Sequence, residues 1–256
     1  MKCIPGLGLL AASSAAGHAF FEALNRQRLV AKIAKNGFWF IDIPRTSSSS
    51  IRSELALRYG PVYGKRNLLE PVQGAAGMGA VDQFAHAWIG DHATAQQLQK
   101  KLGRNLWSKL FTFSLVRNPW ERMVSLYCYR TKRCQLDSGL SFRNYIMQLE
   151  SPCYGGRRSM HARQAYYYGA SEFICDALGR PMVSYVGRFE DRAAFMNQLQ
   201  ERLGLDTSLN LLTQRAKPSE THYSQFYDRE TELIVGRVYE RDVELFDYRF
   251  ERRAPL

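Results

Sequence analysis

The stretch FWFIDIPRTSSSSI, residues 38–51, combines the pattern of a buried strand with a cluster of polar side chains. Bulky apolar residues dominate residues 37–43, with Asp42 as the one interruption, and this pattern predicts a strand inside a core. One arginine and five hydroxyl side chains follow Pro44. A helix is predicted over residues 50–59 because apolar side chains share one of its faces and Gly-Pro ends it. The stretch therefore predicts a strand, a polar loop and a helix.

The polar loop has the composition of an anion-binding site. In open α/β sheets ligands gather outside the carboxyl ends of the strands, where a following helix offers unpaired N–H groups and a positive dipole end. Arg45 adds a positive charge. The loop lacks the glycines and lysine of the common nucleotide-binding Gly-x-x-x-x-Gly-Lys-Ser pattern. A serine-rich turn that only caps the helix is the alternative. The hydroxyl donors of the loop are Thr46, Ser47, Ser48, Ser49 and Ser50.

A second stretch, VRNPWERMVS at residues 116–125, repeats the same arrangement. It begins at the end of a predicted core strand, residues 110–116, and enters a predicted helix, residues 119–129. Asn118 suits the N-cap of that helix, and Pro119 suits its first position. An arginine again stands at the tip of a strand.

The second stretch carries its own anion-binding side chains. Arg117 and Ser125 lie two helical turns apart, and a bend at the cap aims both at one anion. The planar fork of arginine donates two parallel hydrogen bonds to a phosphate. Arg122 either joins them or pairs with an acid, and a capped helix with solvated charges is the alternative for the whole segment. Two such strand ends together indicate a ligand with two separate phosphate groups.

Strands alternate with helices along the chain, which predicts an α/β fold with a central, mainly parallel sheet flanked by helices. Ile234, Val238 and Leu245 are predicted to share the buried side of the last helix. No linker divides the chain, so we expect an N-terminal arm or helix over residues 1–36 and a single domain over residues 37–256. The remaining predicted elements are helices over residues 20–35, 93–102, 191–203 and 227–248 and a strand over residues 182–186.

The composition limits the classes of partner and the compartment that we expect for this chain. The net charge of +11 favours an anionic partner, but the basic residues are spread along the chain, which weakens a nucleic-acid function. The five cysteines form no Cys-x-x-Cys pair and no zinc-ligand spacing, which predicts free thiols in the cytoplasm; secretion or membrane association through the N-terminal segment is the alternative. No apolar run reaches the roughly 20 residues that span a bilayer. The sequence does not indicate an oligomeric state.

The two stretches resemble the motifs of sulfotransferases that use 3′-phosphoadenosine 5′-phosphosulfate (PAPS), in the branch that contains carbohydrate sulfotransferases. Residues 44–50 align with the approximate family loop Pro-Lys-Thr-Gly-Gly-Thr-Ser, and residues 116–125 match Val-Arg-Asn-Pro-x-x-Arg-x-Val-Ser at every defined position. The likeness extends over about residues 37–250. It implies a P-loop-like architecture and no metal requirement. It also implies that residues 45–50 bind the 5′-phosphosulfate and that Arg117 and Ser125 bind the 3′-phosphate. Arg188 is a further candidate for nucleotide binding, with an ion pair to an acid within the fold as the alternative.

Two departures from the family pattern lie in the first loop. Arg45 replaces the usual lysine, so a planar fork replaces a compact point charge. Ser47 and Ser48 replace glycines, which restricts positive φ and brings side chains against the phosphate. We expect nucleotide binding with an altered loop geometry.

Sulfuryl transfer needs in-line geometry, charge stabilisation on the leaving phosphate and a base for the acceptor hydroxyl or amine. Arg45 is predicted to stabilise the leaving group. His92, at the position of the recurring histidine of the family, is the preferred base; His86, Asp42 and Glu54 are alternatives.

Basic loops over residues 60–90 and 131–170 favour an acidic glycan as the acceptor, with a small hydroxylated metabolite as the alternative. The same sequence features are also compatible with two other functions. A P-loop-like nucleotide kinase or phosphotransferase requires magnesium, and a non-catalytic binder of acidic polymers or nucleic acid requires only the charge.

Overall fold

A computed structural model of the chain describes residues 15–59, 88–90, 92–133, 136, 139–150, 164–204 and 221–253. Within these residues three parallel strands form one sheet in the order β1-β2-β3. The strands are β1 (Phe38–Ile41), β2 (Phe111–Val116) and β3 (Tyr185–Arg188). The predicted α/β fold with a central parallel sheet and flanking helices is confirmed.

Ten α-helices surround this sheet in the described part of the chain. Short 3₁₀ helices connect several of them, at Gln148–Glu150, Gln164–Tyr167, Phe189–Asp191 and Tyr223–Phe226. In the described ranges, no helix combines the length and the apolar character needed to cross a lipid bilayer. The helices are α1 (Ala15–Asn36), α2 (Ser48–Tyr59), α3 (Ala95–Leu102), α4 (Arg104–Trp107), α5 (Pro119–Lys132), α6 (Phe142–Met147), α7 (Ala170–Ile174), α8 (Arg192–Leu203), α9 (Arg229–Val238) and α10 (Glu240–Leu245).

The register of the sheet brings the carboxyl ends of its strands to one edge. Ile41 of β1 pairs with Ser114 of β2, and Val116 of β2 pairs with Arg188 of β3. Phe40 and Phe113 pack at 5.4 Å between ring centroids, as expected for strands that are covered on both faces. The loops that follow the strands therefore emerge side by side.

The N-terminal helix α1 packs on the sheet through its last turns. Leu29 and Ile33 are fully buried. The helix ends at Gly37, whose φ of +74° reverses the chain into β1 and whose N–H donates to the Ile33 carbonyl at 3.0 Å. A glycine suits this position because L side chains rarely adopt a positive φ.

The prediction of one helix over residues 227–248 is wrong. The chain breaks at Tyr239, between α9 and α10, where φ is −112° and ψ is 26°. Val238 and Leu245 are exposed, and Val235 and Tyr239 are buried instead. The break directs the Tyr239 ring into the core, where its hydroxyl donates to the Tyr167 carbonyl at 3.1 Å.

The third strand begins three residues later than the sequence pattern predicted. Its expected first residue, Met182, donates its N–H to the Ile174 carbonyl at 2.7 Å. A β-bridge between Cys175 and Pro181 fixes this contact. The N–H of Met182 is therefore used outside the sheet. The first main-chain hydrogen bond to β2 comes from Ser184, whose N–H donates to the Thr112 carbonyl at 2.8 Å, and the paired register begins at Tyr185.

Candidate active site at the carboxyl edge of the sheet

The turn after β1 has an unusual backbone. Arg45 and Ser47 adopt positive φ values of 69° and 63°. Side-chain-bearing residues adopt this left-handed conformation at a cost of about 1–2 kcal/mol each. The Ser47 carbonyl accepts from the N–H groups of Ser50 and Ile51, at 3.0 and 3.2 Å, which starts α2. The loop thus adopts a conformation suited to glycine without containing one.

The turn after β2 is an ordinary capped helix start. The Asn118 side chain accepts from the N–H of Trp120 at 3.1 Å and of Glu121 at 3.4 Å. Pro119 occupies the first position of α5. The Asn118 N–H donates to a Glu190 carboxylate oxygen at 2.6 Å. The predicted cap is confirmed, and Glu190 ties the turn to the end of β3.

Side chains from the two turns meet each other. The Arg45 guanidinium donates from Nε and Nη2 to the Ser125 Oγ, at 3.1 and 3.0 Å. Arg117 Nη1 donates to the Arg45 carbonyl at 3.1 Å. Three residues predicted to bind the nucleotide therefore share one site, although residues 45 and 125 lie 80 positions apart in the chain.

Positive charge is concentrated at this site. Arg117 donates to Glu121 at 2.8 Å and stacks on the Phe189 ring at 3.9 Å, but its Nε is buried without a hydrogen-bond partner in the described part of the chain. Among the described residues, no carboxylate forms an ion pair with Arg45. Burial lowers the pKa of the Arg45 guanidinium, and the positive charge of Arg117 lowers it further. An anion bound here relieves both effects.

The hydroxyl groups of the loop differ in what they can offer such an anion. The fully buried Thr46 donates its hydroxyl hydrogen to the Ile43 carbonyl at 2.9 Å, so this hydrogen is already used inside the protein. Ser48 is buried and Ser49 is exposed, on the first turn of α2. The first N–H groups of a helix have no partner inside that helix. Phosphate contacts by residues 46–50 remain a prediction.

The predicted base lies beside the first turn. His92 is buried, and its Nδ1 lies 3.1 Å from the Asp42 carbonyl oxygen and 3.3 Å from the Asp42 Oδ2. Arg52 forms a buried ion pair with the same carboxylate. Since Nδ1 faces Asp42, a base acting through this ring uses Nε2. Sequence reasoning missed Arg52, because nothing in the local pattern of α2 marks it as a partner of the strand end.

Two tyrosines connect the predicted catalytic residues. The Arg45 guanidinium lies over the Tyr129 ring at 4.5 Å, and Tyr129 stacks on Tyr166 with centroids 6.2 Å apart. Tyr166 in turn meets the His92 ring edge-on at 5.4 Å. Arg133 also lies over Tyr129, at 5.2 Å. One row of contacts therefore runs from the first anion-binding loop to the predicted base.

Two other arginines, Arg188 and Arg122, form their contacts outside this row of side chains. The exposed Arg188 lies at the end of β3, donates to the Phe246 carbonyl and stacks on Tyr248 at 5.1 Å. Its proposed nucleotide contact remains a prediction. Arg122 is buried in the core, donates to the Tyr168 carbonyl at 2.6 Å and lies over Tyr239. Within the described residues it neither faces the anion site nor pairs with an acid, so that expectation is wrong.

His86, the alternative base, lies outside the described residues. Most of the two basic loops that were predicted to favour an acidic acceptor also lie outside them. No group of three or more His, Cys, Asp or Glu side chains is placed to hold a metal ion in the ranges that the structure describes.

The comparison with known families agrees with this geometry. The profile of the sulfotransferase family matches residues 34–249. The chain therefore belongs to the sulfotransferase family, and it is an enzyme of sulfuryl transfer. Its α/β sheet and flanking helices are those of a sulfotransferase fold. No curated protein and no solved structure gives a significant match.

Proposed function

We propose that the chain moves a sulfuryl group from PAPS to a hydroxyl or amine of an acceptor by in-line displacement. The observation that carries this proposal is that side chains from two adjacent strand ends meet: Arg45 donates to the Ser125 hydroxyl, and Arg117 donates to the Arg45 carbonyl. A ligand with two separated phosphate groups can bind at both strand ends at once, with one phosphate group at each. Membership of the sulfotransferase family supports a sulfuryl donor over a nucleoside triphosphate.

The donor is held at its two ends in this proposal. Residues 45–50 and the N-terminus of α2 receive the 5′-phosphosulfate, since unpaired N–H groups and the helix dipole favour an anion there. Arg117 and Ser125 receive the 3′-phosphate. Arg117 has a buried Nε available, and the Ser125 hydroxyl accepts from Arg45 and keeps its own hydrogen for donation. The residues at this edge therefore fit the nucleotide.

The transfer step is a single displacement at sulfur. The acceptor oxygen or nitrogen forms a bond to sulfur, the bond from sulfur to the 5′-phosphate oxygen breaks, and the electron pair leaves on that phosphate. Arg45 and the loop N–H groups stabilise the leaving charge. The proton passes from the acceptor to His92 Nε2, while Asp42 holds Nδ1. This step needs no metal ion, because cationic side chains neutralise the leaving group.

For the acceptor we propose an acidic glycan. Lys132 and Arg133 end helix α5 beside Tyr129, so positive charge lies next to an aromatic face. Electrostatic complementarity favours an anionic acceptor there. A small hydroxylated metabolite is the second candidate. The free thiols of Cys128 and Cys175 support a reducing compartment, and we propose the cytoplasm.

The test combines nucleotide binding with sulfate transfer. Calorimetry compares 3′-phosphoadenosine 5′-phosphate (PAP), the desulfated donor, with ATP in the presence of magnesium. Labelled PAPS is then supplied with panels of acidic glycans and small hydroxylated compounds. We expect PAP to bind more tightly than ATP and label to enter an acceptor. Tighter binding of magnesium-ATP would support a kinase instead. Salt-sensitive glycan binding with no nucleotide preference would support a non-catalytic binder.

A further inference from the structure

Arg45 belongs to the loop after β1, but its guanidinium reaches across to helix α5. Both Nε and Nη2 donate to the Ser125 Oγ, at 3.1 and 3.0 Å. The flat face of the group lies on the Tyr129 ring at 4.5 Å, which fixes its plane. The charged end of Arg45 thus lies beside the serine that the proposed function assigns to the 3′-phosphate.

The edge of the guanidinium that faces Ser125 is the one that suits a phosphate. Nε and Nη2 are two parallel donors, and such a fork matches two oxygens of a phosphate or carboxylate. In Arg45 both donors share a single hydroxyl oxygen. A phosphate hydrogen-bonded to Ser125 lies within reach of the same two donors. A lysine has one nitrogen and cannot reproduce this fork.

The surrounding charges favour an anion at this point. Arg117 donates to the main-chain carbonyl of Arg45, and its positive charge also acts on the Arg45 guanidinium, so both charges belong to one partly buried site. Glu121 is the carboxylate paired with Arg117, and within the described ranges none is paired with Arg45. Burial lowers the pKa of Arg45, and the positive charge of Arg117 lowers it further, so a nearby anion stabilises the charged form of Arg45.

We propose that Arg45 binds the 3′-phosphate of the nucleotide together with Arg117 and Ser125, in addition to its part at the 5′ end. A residue of the 5′-phosphosulfate loop then contributes to the selection of 3′-phosphorylated nucleotides. This inference rests on the proposed function, because it presumes the PAPS site.

The experiment uses nucleotides that differ only in the 3′-phosphate. Affinities for PAP and for adenosine 5′-monophosphate are measured by calorimetry on the full chain and on its Arg45→Lys variant. We expect the variant to lose about tenfold or more in affinity for PAP, and to change little towards the monophosphate. Arg202→Lys is the matched control, because Arg202 stacks on Phe111 and Tyr185 at the opposite edge of the sheet.

A second variant tests whether the effect of Arg45→Lys comes from a general change in the conformation of the loop. Ser125→Ala removes the hydroxyl that accepts from Arg45 and leaves every residue of the loop after β1 unchanged. It is expected to reduce PAP affinity, and the double variant with Arg45→Lys is expected to lose less than the product of the two single losses. Independent, multiplicative losses would overturn the inference.

The outcomes separate the inference from the function on which it rests. Equal losses for PAP and the monophosphate in Arg45→Lys would place Arg45 at the 5′ end alone and overturn the inference. If the unaltered chain shows no preference for PAP over the monophosphate, the proposed donor is wrong.

Discussion

After β1 the chain enters its helix through two residues with positive φ, Arg45 and Ser47, whereas after β2 it enters through a capping asparagine and a proline. The second turn is stabilised largely by its own sequence, since Asn118 caps the N–H groups of α5 directly after it. The first turn has no such local cap among the described contacts. It is held instead from the neighbouring strand end, through Arg117.

This difference indicates that the two turns have different roles at the carboxyl ends of the strands. The second turn carries the residues proposed to bind the 3′-phosphate, and its Arg117 and Ser125 also hold Arg45. The first turn lies next to His92 and Asp42, where the chemistry is proposed to occur. Changes at His92 or Asp42 should therefore affect turnover, and changes in the second turn should affect nucleotide binding and the conformation of the first.

The largest effect is expected for His92→Asn. Asparagine tolerates the φ of 55° at this position and keeps an N–H group for Asp42, but it offers no ring nitrogen to accept a proton. We expect kcat for sulfate transfer to fall by about 10²–10⁴-fold. PAP affinity should stay unchanged, as measured by calorimetry on the same sample. Full turnover by this variant would remove His92 from the mechanism.

A smaller effect, on binding, is expected for Arg117→Ala. This change removes the proposed charge-assisted hydrogen bonds to the 3′-phosphate and the donor that supports the Arg45 carbonyl. PAP affinity should fall about 10- to 100-fold by calorimetry. Arg202→Ala, at the other edge of the sheet, is the control and should bind PAP normally. Equal affinities for the two variants would contradict the two-ended nucleotide site.

The strained backbone of the first turn can be tested through stability. Because Ser47 has a φ of 63°, valine is poorly tolerated there and glycine is well tolerated. We expect the free energy of unfolding in urea to be about 1–2 kcal/mol lower for Ser47→Val than for Ser47→Gly.

The matched control for that pair is Ser53, inside helix α2, where the order should reverse. Glycine is destabilising in the middle of a helix by roughly 0.5–1 kcal/mol relative to alanine, and valine by less. The Ser53 hydroxyl donates to the Ser49 carbonyl of the same helix at 2.9 Å. The same order at both positions would argue against local strain at Ser47.

The smallest effect is expected at the cap of the second turn. Asn118→Ala removes the side-chain acceptor for two N–H groups and should lower the free energy of unfolding by about 1 kcal/mol. Asn118→Ser restores an acceptor and should recover part of that loss. Urea unfolding of the two variants measures both. An equal loss in both would show that the hydrogen bond to the Arg249 carbonyl, and not the cap, is the stabilising contact.

Much of the fold follows from local pattern. The apolar runs that predicted β1 and β2 are buried strands, and the Asn-Pro pair marks the start of α5 as expected. The prediction of one long C-terminal helix was wrong because the amphipathic pattern could not show that Tyr239 turns into the core. The third strand shifted because Met182 bonds outside the sheet, which depends on a contact with a residue of helix α7.

The amino-acid sequence by itself determined which residues could form the two anion-binding turns, because strand, cap and arginine lie within one short segment in each case. Only the tertiary structure decided how those side chains are used. The contact of Arg45 with Ser125, the pairing of Asp42 with Arg52 and His92, and the burial of Arg122 all join distant segments. Local periodicity carries no information on such contacts, because they depend on strand register and on the direction in which each helix leaves the sheet.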